Sequence, residues 1–78
     1  MDDMPTDPQR SHHAHVVLRP VVDAVRPFRR VEILGMQVGK AYSLADVAGF
    51  CRHAGLEGVD VEVDGSVQWI GGGPHEWL

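Results

Sequence analysis

Cys51 and five histidines carry the most reactive side chains of this 78-residue chain. His12, His13 and His15 cluster near the start, and Cys51, His53 and His75 could join them around zinc, which takes imidazole and thiolate ligands in a tetrahedron. The spacing speaks against such a site. Zinc-binding sequences show two closely spaced ligand pairs on turns, whereas His12 and His13 stand in a polar leader, and Cys51 and His53, two positions apart on a helix, point in different directions. The same geometry keeps His53 from serving Cys51 as a general base, and no Ser-His-Asp spacing stands out. The chain is expected not to be an enzyme and to carry no cofactor or resident metal. A zinc-assisted small fold is the third-ranked reading.

Gly71, Gly72 and Gly73 followed by Pro74 suggest a phosphate loop only superficially. Such a loop needs a strand before it, a helix after it and commonly a lysine, and here too little chain follows. The run reads instead as a hinge for His75-Glu76-Trp77-Leu78. Trp69 falls on a valine face and is expected in the core; Trp77, next to the last residue, either docks on its own domain or contacts another protein. Binding is therefore assigned to Trp77 and His75 on the Gly72-Gly73 hinge, together with Arg29 and Arg30.

The formal charge of −4 conceals an asymmetry. Asp2, Asp3 and Asp7 make residues 1–9 acidic. Arg10, Arg19, Arg26, Arg29, Arg30 and Lys40 outweigh Asp23 and Glu32 in residues 10–43, and residues 44–78 are acidic again. A basic centre in an acidic chain is weak support for nucleic-acid binding, because affinity scales with the cations brought to the phosphates. The preference for arginine over lysine, with abundant valine and glycine, fits a GC-rich bacterial genome.

These residues need elements to position them. Ser43–Leu56 is the clearest: Ser43 is placed to cap a helix, Asp46 suits its first turn, and Gly55 can close it. Leu44, Val47, Ala48, Cys51 and Ala54 form its apolar stripe, widened by Phe50, and Gly49 in its interior costs about 1 kcal/mol relative to alanine. Arg30–Val38 alternates as a hairpin about Leu34-Gly35, with Val31 opposite Val38, and only Gly35, or a small bulge, is expected to supply the positive φ. Val59, Val61 and Val63 alternate with acids as a further strand, pairing with Val67 and Trp69 through a loop of three or more residues. His15–Leu18 reads as extended, followed by one or two helical turns to Val25. Residues 1–13, with two prolines and three aspartates, read as a disordered tail.

The sum is an α+β fold: one domain over residues 14–78, a small antiparallel sheet of about four strands in ββαββ order, and a single helix covering one face. So short a chain has a marginal core, and its one cysteine cannot form an intramolecular disulfide. A lone cysteine without a secretory signal fits the cytoplasm, and no apolar run is long enough for a membrane span. The leading expectation is a non-catalytic interaction or assembly module that binds a protein partner or itself, as a homodimer. The alternative is nucleic-acid binding through residues 19–40, with Phe28 and Tyr42 available for stacking if the cations converge on one sheet face.

Overall fold

The computed structural model describes residues 14–78, so the tail expected over residues 1–13, with His12 and His13, lies outside the described residues. The elements are β1 (Val16–Leu18), β2 (Arg29–Ile33), β3 (Met36–Ala41), α1 (Leu44–His53) and β4 (Val67–Trp69). The α+β architecture of four strands and one helix matches the sequence reading, with strand order β3-β2-β1-β4. The sheet is mixed rather than antiparallel, because β1 pairs antiparallel with β2 and parallel with β4.

Alternation explains both faces of the sheet. Val16 and Leu18 of β1, Val31 and Ile33 of β2, and Val67 of β4 share the inner face, where Val47 and Cys51 of α1 complete the core. Phe28, Arg30 and Glu32 fall on the opposite face. The turn between β2 and β3 has two residues, and both Leu34 and Gly35 take positive φ, 52° and 83°. Leu34 thus adopts a conformation that costs an L-residue about 1 kcal/mol, held because the apolar register of the hairpin requires that turn.

The hairpin also contains a bulge between Val31 and Glu32, which places Gly39, not Val38, opposite Val31. The helix supplies the reason. A Cβ at Gly39 would stand 2.7 Å from Cζ of Phe50, so only glycine lets the ring lie against β3. Gly39→Ala is expected to lower unfolding free energy by about 1–3 kcal/mol through overpacking, read as a lower urea midpoint with unchanged slope.

α1 ends as its sequence indicates and begins differently. Gly55, at φ 82°, donates its N–H to the Arg52 carbonyl, and the Leu56 N–H reaches the Cys51 carbonyl, which is the Schellman closure. Ser43 occupies the N-cap position without a side-chain cap bond; Asp46 instead reaches back, its Oδ2 accepting the Tyr42 N–H at 2.8 Å.

Two expected elements are absent from the described residues. Residues 59–63 form an irregular loop with turns at 61–63 rather than a strand, and β4 pairs with β1 instead. Asp60 stabilises the turns locally: its side chain accepts the Glu62 N–H, and its carbonyl accepts those of Val63 and Asp64. Val61 is buried, Val63 is exposed, and the Trp69 indole N–H donates to the Val61 carbonyl at 3.0 Å. The loop then turns at Asp64-Gly65, where the Asp64 carboxylate accepts both the N–H and the hydroxyl of Ser66. Those bonds hold the Asp64 carboxyl below the usual carboxylate range. The helical turns expected before Val25 are likewise replaced, by a loop that Val22 and Phe28 close as an antiparallel bridge.

Candidate functional site

Arg29 stands on the inner face of β2, in register with Val31 and Ile33, and is 0% exposed. Expected on a basic surface, it is instead the centre of the C-terminal packing. Its Nε donates to the Glu76 carbonyl, its Nη1 to those of Arg19 and Ile70, and its Nη2 to those of Gly73 and Glu76, at 2.9–3.3 Å. Five N–H groups meet five bonds, so the whole donor fork is satisfied by backbone. Burial pulls the guanidinium below its ordinary pKa, and the charge of Glu76 opposes that shift. The indoles of Trp69 and Trp77 flank it, with ring centroids 5.0 and 5.5 Å from Cζ, and meet each other edge to face.

The glycine run is accordingly a packed loop and not a free hinge. Gly72, at φ 126°, has no room for a side chain, which would run into the Glu76 carboxylate and Arg29. The Gly73 N–H donates to Oε1 of Glu76, and the Trp77 indole N–H to the Pro74 carbonyl at 2.8 Å. His75 pairs outward with Glu62 at 2.8 Å, fastening the segment to the 59–63 loop. Trp77, His75, Gly72, Gly73 and Arg29 therefore do come together, in a cluster that closes the chain's own fold. Trp77 is half-buried there.

Arg30, one residue on, points to the opposite face and meets different company. Phe28 and Tyr42 pack edge to face with centroids 6.0 Å apart. Lys40 Nζ lies 4.6 Å and Arg30 Cζ 5.3 Å from the Phe28 centroid, while Arg26 Cζ stands 4.0 Å above the Tyr42 ring. Arg26, Arg30 and Lys40 are exposed, and Phe28 is only 6% exposed beneath its two cations. Glu32, on the same face, lies 3.9 Å from Arg19. The arrangement is three solvated cations laid over two rings, a surface suited to anions with flat apolar parts.

At the β3 edge this surface turns into a groove of about 560 Å³ between Tyr42 and α1. Arg26, Lys40, Arg52 and His53 line it together with Asp46, Gly49 and the Phe50 ring. Asp46 is already engaged by the Tyr42 N–H. Gly49 within the helix is one sign of the groove legible in the sequence; that Arg52 and Lys40 line the same groove depends on how α1 lies against β3.

Among the described residues no three of His, Cys, Asp or Glu are placed to hold a metal ion. Cys51 is buried beneath α1, with its thiol pKa pushed up by burial, while His53 is exposed. No helix among the described residues is long and apolar enough to cross a membrane. In comparisons with known proteins, no family model, curated sequence or solved structure matches this chain.

Proposed function

We propose that this chain is a non-catalytic binding module whose open sheet face takes single-stranded nucleic acid. The observation that carries this reading is the convergence of Arg26, Arg30 and Lys40 over Phe28 and Tyr42. Phosphates draw the cations off the rings, and the uncovered rings then stack on bases; both partners of each cation–π contact are used. The acidic remainder of the chain keeps binding modest and strongly dependent on salt. A labelled single-stranded 12-mer, titrated with the full chain at low ionic strength and followed by anisotropy, should bind and be released as salt rises. A flat titration at low salt removes the proposal.

Self-association is the second reading, with its support at the hairpin. Leu34 at 64%, Met36 at 70% and Val38 at 42% exposure set an apolar strip along β3, an edge strand with unpaired backbone groups. The bulge and Lys40 in that strand act against pairing of two edges. If β3 pairs between copies, sedimentation equilibrium should give a dimer that Met36→Lys converts to monomer; a monomeric wild type dismisses it.

A further inference from the structure

We infer that the groove between Tyr42 and α1 seats one nucleotide of the bound strand, with its phosphate among Arg26, Lys40 and Arg52. This rests on the nucleic-acid reading and adds a defined subsite to it.

Gly49 is the first support. It lies inside α1, where glycine is less favourable than alanine, yet a Cβ there would meet only Arg52 Nη2, at an ordinary 3.8 Å. Gly39 is required by Phe50; among the described residues no packing contact requires Gly49. What its missing side chain provides is the space of the groove, and it leaves helix backbone open to a ligand.

Charge is the second. Three permanent cations face the groove against one carboxylate, and that carboxylate is held by the Tyr42 N–H. The third is continuity and size. Arg26, Lys40 and Tyr42 belong both to the groove and to the cation-covered face, so a strand lying on the sheet reaches the groove without a break. The volume of about 560 Å³ falls within the roughly 300–1,000 Å³ of small-ligand sites. The apolar part is supplied by Tyr42 and Phe50, which suits a base better than a bare phosphate.

Adenosine 5′-monophosphate titrated into the isotopically labelled full chain should shift the amides of residues 42–53, and adenosine or inorganic phosphate should do so at least about tenfold more weakly. Gly49→Leu fills the groove while strengthening the helix, and should weaken the mononucleotide at least about tenfold while the 12-mer still binds the sheet face. Arg52→Glu, at an exposed position off that face, should give the same pattern if the leucine variant fails to fold. Gly49→Ala, which puts a single methyl into the groove, should melt higher and weaken the mononucleotide by less than the leucine does. The inference is overturned if the 12-mer shifts amides around Arg30 while those of residues 42–53 stay silent. It is equally overturned if inorganic phosphate matches the mononucleotide, or if Gly49→Leu and Arg52→Glu leave its affinity unchanged. Absence of 12-mer binding altogether is the separate failure of the sheet-face reading.

Discussion

Arg29→Met should lower the stability of the full chain by about 3 kcal/mol, because it strips the hydrogen-bond partner from four part-buried carbonyls in one step. The carbonyls of Arg19, Ile70, Gly73 and Glu76 all accept from this side chain, and it is 0% exposed. Stability of small domains is only about 5–15 kcal/mol, so the loss is a large share of the whole. At about 4–8 °C per kcal/mol, the melting temperature should fall by at least about 12 °C. Arg29→Lys is the sharper test. It keeps the positive charge but offers three donors on a point instead of five on a fork, and it should recover little of the loss. Urea unfolding followed by tryptophan emission reads both variants, since Trp69 and Trp77 flank the guanidinium. Lysine restoring wild-type stability would show that charge alone matters, and methionine matching wild type would show that the carbonyls need no donor.

Arg30→Glu with Lys40→Glu should abolish most binding of a single-stranded 12-mer while leaving the fold intact. Both residues are exposed, and what the fold loses with them is their cover over the Phe28 ring, worth about 1 kcal/mol or less for each exposed cation–π contact. Three cations engaging phosphates imply a log–log salt slope of about −2 for a single strand; reversing two of them should bring it near zero and cut low-salt affinity by about two orders of magnitude. Circular dichroism should stay as in the wild type and the urea midpoint should fall only slightly, separating loss of binding from loss of structure. Wild-type affinity and slope in the double variant would place the strand elsewhere on the molecule.

How much of this was legible differs residue by residue. The hairpin and the C-terminal end of α1 are written locally, in alternation on either side of Gly35 and in the Gly55 position, whereas the start of α1 is held by Asp46 reaching back to Tyr42 rather than by the Ser43 cap. The bulge is not written locally, because Gly39 answers to Phe50, a residue of the helix. Val59–Val63 alternates as a strand should, yet alternation names a face and not a neighbour, and the neighbour of β4 is β1. Arg29 was misplaced for a different reason. Counting charges groups it with Arg26 and Arg30, whereas the two-residue period that put Val31 and Ile33 inside also puts Arg29 inside and sends Phe28, Arg30 and Glu32 out. That same period held the cation-bearing face, conditional on Lys40 and Tyr42 arriving alongside from β3.

The central position of β1 has a consequence for the order of assembly. Its three residues bond antiparallel to β2, close by in the chain, and wait for β4, about fifty residues further on, to cover their other side. The acceptors for the Arg29 fork lie further on again, through Glu76. A chain in which only the hairpin and α1 have formed has a sheet one strand short and an arginine short of acceptors until β4 and Glu76 arrive, so maturation is governed by closure of the most distant contacts.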